Sequence, residues 1–250
     1  MIILKTKREI ELMRKSNQLV IKILKELASN IRPGVTTGEL DLMAEKLIDR
    51  NDAMPAFKGY RGFPACVCTS LNEQVVHGIP GPVKIREGDI ISIDLGVVLN
   101  GYFGDAAITV PVGKISNDAK RLLQVTYDAL FKGIDQARVG NRLFDISHAI
   151  QMWVEKQKFS VVRDFVGHGI GKSLHEDPQV PNFGKPNQGV RLKEGMVLSL
   201  EPMVNVGTYQ TKVKEDGWTA VTKDGKLSAH FEHTIAITKN GPDILSLLPE

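Results

Sequence analysis

Apolar residues recur every three or four positions from Ile10 through Met13, Val20 and Leu24 to Leu27, and the run stops at Asn30 and Pro33. This spacing predicts an amphipathic helix, because residues three and four apart share one face. Thr6 followed by Glu9 supplies a capping box at its start. Thr36 and Glu39 repeat the device ahead of Leu40, Met43 and Leu47, predicting a second, shorter helix. Leu122, Leu130 and Ile134 mark a third helix, and Ile146, Ile150 and Val154 a fourth; His148, inside the last, is expected to be solvated or hydrogen-bonded there. Between the helix pairs, Asp89 to Pro111 holds two β-rich runs separated by Asn100-Gly101. That dipeptide suits a type I′ hairpin, whose two central residues need positive φ. With Leu99 opposite Tyr102, Asp94 faces Ala107 and Asp105 faces Gly96.

The pattern is used twice. VKIREGDIISIDLGVV from Val83 keeps step with VRLKEGMVLSLEPMVN from Val190, so Asp94 corresponds to Glu201 at an offset of 107. Upstream, Pro33-Gly34 with Glu39-Leu40 matches Val139-Gly140 with Asp145-Ile146 at an offset of 106. A period this long does not make a solenoid and implies one domain built from two halves. Two related halves can set equivalent carboxylates across a shared cleft.

A chain of 250 residues with 42% hydrophobic residues can bury a large core as one domain. The net charge of +3 is spread among interspersed acids and bases, which does not indicate a nucleic-acid groove. No apolar run approaches the ~20 residues of a membrane span, and MIILKTKREIELMRK turns charged too early for a signal peptide, so a cytoplasmic protein is expected. Cys66 and Cys68 are too close for an unstrained disulfide and too few for a zinc knuckle. They read as reduced, buried strand residues, either of which could line a pocket.

The hairpin register places Asp94 and Asp105 on one face as diagonal neighbours, with backbones ~7–8 Å apart. Ile91, Ile93, Leu95, Ile108 and Val110 fill the other face, and Val98 and Phe103 stand near the acids. Buried unpaired carboxylates are costly, so the pair implies a cation. His168 sits among the glycines of VGHGIG, where the backbone can approach a metal or substrate closely. His175 follows in the loop-like, proline-containing run LHEDPQVPNF; the spacing of the two histidines is not that of a helical zincin. Glu201 ends the apolar run MVLSL and Glu232 lies in HFEHTIAIT, and both read as carboxylates at strand positions in or beside the core. Asp94, Asp105, Glu201 and Glu232 together would be neutralised by two divalent cations, with His168 as a neutral donor. Such oxygen-rich ligation suits Mn²⁺, Fe²⁺, Co²⁺ or Zn²⁺, and a metal pair can activate water for hydrolysis.

The strings HGIP from His77, DLGVVLNGYFGDAA from Asp94, GHGIGKSLHEDPQVPNF from Gly167, SLEPMV from Ser199 and FEHTIAIT from Phe231 resemble the motifs of type I methionine aminopeptidases. They occur in that family's order and spacing across almost the whole chain. The resemblance implies the α/β (α+β) pita-bread fold, with two pseudo-twofold-related halves, a curved antiparallel sheet and helices outside. One catalytic metallopeptidase domain over residues 1–250 is expected, its halves about 1–112 and 113–250. Residue by residue, the resemblance makes Asp94, Asp105, His168, Glu201 and Glu232 the ligands of two divalent ions, Co, Mn, Fe or Zn. It makes Glu201 a proton shuttle, His175 the group that polarises the scissile carbonyl, and His77 a contact to the peptide. Tyr60, Phe63, Cys68 and Trp218 match positions enclosing the methionine side chain, with Phe57 and Leu174 beside them; aromatic edges and polarizable sulfur suit a thioether.

The implied reaction is removal of N-terminal methionine from nascent chains with a small second residue. The family expectation is a monomer, with ribosome association open and no membrane or nucleic-acid role. Two alternatives use the same fold: a proline-specific aminopeptidase, against which the single-domain length and pocket aromatics speak, and a non-catalytic binding protein, which would show degenerate ligands.

Overall fold

The four helical stripes form helices. The structure, a computed structural model, describes residues 1–248. Helix α1 (Lys7–Asn30) begins at Thr6, whose hydroxyl accepts from the Glu9 N–H at 3.3 Å while the Glu9 carboxylate accepts from the Thr6 N–H at 2.9 Å. Helix α2 (Thr37–Asp49) starts in the same way from Thr36 and Glu39. Ser116 caps α3 (Asn117–Gln136), and Asp145 in α4 (Leu143–Lys156) accepts from the Arg142 N–H at 2.7 Å. The stripes point inward: Met13, Val20, Leu24 and Leu27 are buried, as are Leu122, Leu130, Ile146, Ile150 and Val154. The His148 Nδ1–H donates to the Gly184 carbonyl at 3.2 Å.

The hairpin folds as β4 (Ile90–Leu99) and β5 (Tyr102–Pro111) in the register its turn dictates. Leu99 faces Tyr102, Asp94 faces Ala107 and Gly96 faces Asp105. Asn100 and Gly101 take φ values of 53° and 78°. On the other side of β4 lie β2 (Val67–Leu71) and β1 (Met54–Pro55). The second half repeats this plan around β9 (Val197–Leu200), flanked by β14 (His233–Thr238) and β7 (Gly167–Gly169). Strands β15 (Gly241–Ile244) and β8 (Glu176–Val180) form the edges of that sheet. Two small sheets complete the layer. In one, β3 (Gln74–Val76) joins β12 (Ala220–Thr222) and β11 (Thr211–Val213); in the other, β10 (Met203–Asn205) lies between β13 (Ser228–His230) and β6 (Ser160–Val161).

The repeat is written into the backbone. Strand β4 starts at Ile90 and β9 at Val197, the offset of the sequence repeat. Isolated bridges join Thr36 to Lys84 and, at the equivalent place, Arg142 to Arg191. The Gly34 N–H donates to Ile85 and the Gly140 N–H to Leu192, and both glycines take φ above +90°. The halves meet where β5 runs beside the entry to β14. The Glu232 N–H donates to the Ala107 carbonyl at 2.9 Å, and the Thr234 hydroxyl donates to the Asp105 carbonyl at 2.9 Å. Each half has its own apolar core, and a third cluster containing Met13, Phe57, Phe63, Cys68, Ile170 and Leu174 lies between them.

Two local expectations need correction. The proline-containing run after His175 is not a loop, since it forms β8; Pro178 is tolerated because β8 is an edge strand with neighbours on one side only. Neither Glu201 nor Glu232 is within a strand: Glu201 follows β9, and Glu232 comes before β14. Glu232 stands in the link from β13, one residue before β14, so its carboxylate is set by the crossing of the two halves rather than by strand alternation.

Candidate metal centre and adjoining pocket

Five donors converge from both halves. Asp94 and Asp105 project from one face of the β4–β5 hairpin, His168 is the middle residue of β7, Glu201 follows β9 and Glu232 precedes β14. Asp105, His168 and Glu232 offer donor atoms that all lie within 4.8 Å of one another. The His168 Nε2 is 3.5 Å from Glu201 Oε1 and 3.9 Å from Asp105 Oδ2. Asp94 lines the same cavity.

Local hydrogen bonds set the donors' orientation. The His168 Nδ1 lies 2.9 Å from the Gly169 carbonyl. A carbonyl only accepts, so Nδ1 carries the proton and the Nε2 lone pair faces the carboxylates. Burial lowers the His168 pKa to about 4, so the ring is neutral at pH 7. Its flanking glycines are sterically required: a Cβ at Gly167 would sit 2.3 Å from the Ser199 carbonyl oxygen, and one at Gly169 2.2 Å from that of Asp177. The Ser199 hydroxyl donates to Glu232 Oε1. Asn17 Oδ1 accepts from the Asp105 N–H at 3.2 Å, while the Ser16 hydroxyl donates to the Tyr102 carbonyl at 3.0 Å, pinning α1 to β5. Ser16, Asn17, Ser199 and Thr234 were not anticipated; their signal was a polar residue interrupting an apolar stripe or strand.

The electrostatics call for positive charge. Burial, followed by the charge of Glu232, holds Asp94, Asp105 and Glu201 well above the usual carboxylate range. Burial also pushes Glu232 up to about 7, against the stabilising Ser199 hydrogen bond. Asp94 Oδ1 and Asp105 Oδ1 are buried without a hydrogen-bond partner. Four such carboxyls with one neutral imidazole must hold either protons or cations, so the donor set fits divalent metal ions.

A cavity of about 220 Å³ adjoins these groups. Phe57, Tyr60, Phe63, Cys68, Leu174 and Trp218 form one side of its lining, His77 and His175 lie along it, and all five donors reach it. Every candidate residue therefore faces one space. Phe63 and Trp218 meet edge to face at 5.1 Å, and burial raises the Cys68 thiol pKa well above its usual value, keeping that wall uncharged. The Tyr60 hydroxyl is 2.7 Å from His175 Nδ1, and the His175 ring is 4.3 Å from that of His168. Burial, then the Arg61 charge, lowers the His175 pKa and favours its neutral form. His77 has φ of 59°, a left-handed conformation uncommon outside glycine, and packs edge-on against Phe165 at 5.4 Å. Arg61 and Phe165 were not read from the sequence. Cys66 is free and buried, outside the cavity lining.

Residues 11–239 match the family model described as metallopeptidase family M24. The methionine aminopeptidase of Clostridium perfringens is 56% identical over 99% of this chain and 100% of that protein. The chain belongs to the methionine aminopeptidases of family M24. Methionine aminopeptidase 1 of Bacillus subtilis is also 56% identical, over 98% of this chain and 99% of its own. The crystal structure of the Rickettsia prowazekii methionine aminopeptidase superposes with a TM-score of 0.98 at 44% identity, covering 99% of this chain and 100% of that one. The fold is accordingly the pita-bread arrangement implied by the motif resemblance, and the chain is a metallopeptidase. No helix among the described residues is long and apolar enough to cross a membrane.

Proposed function

We propose that the chain releases methionine from the N-termini of nascent polypeptides and peptides whose second residue is small, with Asp94, Asp105, His168, Glu201 and Glu232 holding two divalent ions such as Mn²⁺, Fe²⁺, Co²⁺ or Zn²⁺. The observation that carries this reading is the opening of one cavity on both the five donors and the apolar wall containing Cys68, Phe63 and Trp218. When bound, the ions supply Lewis acidity and a nucleophilic water at neutral pH.

The remaining steps fall to the protein's own groups. The apolar wall takes the methionine side chain, where soft sulfur and aromatic edges favour a thioether. Tyr60 holds the uncharged His175 through Nδ1, which leaves Nε2 to carry the proton and donate to the scissile carbonyl as negative charge develops on the oxygen. Glu201 carries the proton toward the leaving nitrogen, and His77 contacts the peptide beside the scissile bond. The donors come from both halves, so the two halves act as one catalytic domain.

The test is methionine release from Met-Ala-Ser, compared with alanine release from an Ala-Pro peptide, after chelation and after return of Mn²⁺ or Co²⁺. Metal-dependent release of methionine alone is expected. Preferential cleavage of the Ala-Pro peptide would instead support a proline-specific enzyme, and no cleavage of either would support a binding protein.

A further inference from the structure

A second groove, of about 480 Å³, shares Arg61, His168 and His175 with the methionine cavity and continues past Glu176, Asp177 and Gln179. A peptide with its scissile bond beside His175 has this groove as a path for the residues that follow. The acids in its wall are already paired within the chain. Glu176 holds Lys5 and accepts from the Lys172 N–H at 2.9 Å, and Asp177 pairs with the Met1 ammonium. Arg61 differs, because its guanidinium has no carboxylate partner among the described residues.

Arg61 is also held in place. It has φ of 49° and ψ of 25°, a left-handed conformation that costs a bulky residue energy, between Gly59 and Gly62 at φ of 86° and 89°. The Gly59 N–H donates to the Phe63 carbonyl at 2.8 Å and the Phe63 N–H to the Tyr60 carbonyl at 2.9 Å, closing this short loop. The guanidinium lies 5.5 Å from the Tyr60 ring centroid, and that ring lies 5.2 Å from the His175 ring. At roughly 3.3–3.6 Å per extended residue, the charge is within about three residues of the scissile position.

We infer that this groove receives the peptide downstream of the cleaved bond and that Arg61 is a specificity-determining residue there, favouring substrates with an acidic side chain at the third residue. The inference rests on the proposed methionine-releasing activity. An exposed charge pair contributes modestly and weakens with salt. The effect should therefore appear as a graded preference among substrates that are all cleaved.

The experiment measures kcat/KM of the metal-loaded enzyme on amidated Met-Ala-Glu and Met-Ala-Lys peptides, with amidated Met-Ala-Ser as the neutral reference. For the wild type at low ionic strength the Glu-to-Lys ratio is expected to be about two to five, falling toward one in high salt. Arg61→Gln is expected to bring the ratio near one, and Arg61→Glu to invert it. Each ratio is taken within one preparation, so partial misfolding of a variant does not alter it. Lys120→Glu, at the start of α3, makes the same change in net charge and is expected to leave the ratio in place. A wild-type ratio of one at low salt, or an equal shift in Arg61→Glu and Lys120→Glu, would overturn the inference while leaving the activity standing. Failure to release methionine from the neutral peptide would overturn the activity itself.

Discussion

Removing metal with a chelator and then lowering the pH from 8 to 6.5 is expected to raise the melting temperature. Burial holds Asp94, Asp105 and Glu201 well above the usual carboxylate range in the folded protein, and Glu232 at about 7 against an ordinary 4.5. A carboxyl with a raised folded-state pKa binds its proton in the folded protein before the unfolded chain does. Its contribution to stability is therefore lost as pH rises through the folded value and returns as pH falls. For Glu232 alone, linkage between pH 8 and 6.5 gives about 1 kcal/mol, and the other three carboxyls act in the same direction. In a chain of this size each kcal/mol moves Tm by about 2–4 °C, so a gain of at least about 2 °C is expected. At lower pH the buried histidines oppose the trend. Burial lowers His77, His168 and His233 to about 4 and His230 to about 3, so the unfolded chain, with its ordinary imidazoles near 6.5, protonates first. The metal-free protein should be most stable at mildly acid pH, where the protons bound by the folded and unfolded chains balance. The metal-loaded protein should instead lose stability over the same acidification, as protons compete for the carboxylates. Scanning calorimetry at matched ionic strength, with and without chelator, reads both trends. A metal-free melting temperature that is flat or falls between pH 8 and 6.5 would refute the argument.

Three further outcomes follow from particular contacts. His175→Ala should lower kcat by at least about a hundredfold with metal content intact, since one lost transition-state donor costs ~3 kcal/mol; loss of metal by elemental analysis would make His175 a ligand instead. Gly104→Ala should destabilise the fold by about 1–3 kcal/mol, because its Cβ would stand 2.6 Å from the Ser16 carbonyl carbon and 2.7 Å from the Asn17 nitrogen. A urea midpoint equal to wild type would show that α1 yields without cost. Ser199→Ala removes the hydroxyl that donates to Glu232 and should weaken metal binding by about 10–100-fold in chelator competition; unchanged affinity would remove Ser199 from the site's support.

The parts of this protein legible in its sequence are those set by local rules. Asn100-Gly101 fixed the hairpin register, and with it the shared face of Asp94 and Asp105, because a two-residue turn leaves no freedom in pairing. The 107-residue offset placed Glu201 opposite that hairpin, since duplicated strands occupy equivalent positions. The exact setting of Glu232 was not legible: it depends on the N–H bond to Ala107 across the two halves, a contact between residues 125 positions apart. Ser16 and Asn17 were hidden for a related reason. They sit in the apolar stripe of α1, and the approach of Gly104 in β5 brings the Tyr102 carbonyl to the Ser16 hydroxyl and the Asp105 N–H to Asn17 Oδ1. Arg61 stood outside any periodic pattern, and its place at the junction of cavity and groove follows from a loop held by Gly59 and Gly62.

The central claim, that these five side chains hold the ions used in methionine release, is tested most directly by anomalous diffraction from crystals soaked in Mn²⁺. Two manganese peaks are expected, roughly 3.5–4 Å apart, contacted by Asp94, Asp105, His168, Glu201 and Glu232. Manganese bound elsewhere, with this cluster left without an ion while the same preparation releases methionine, would contradict the account.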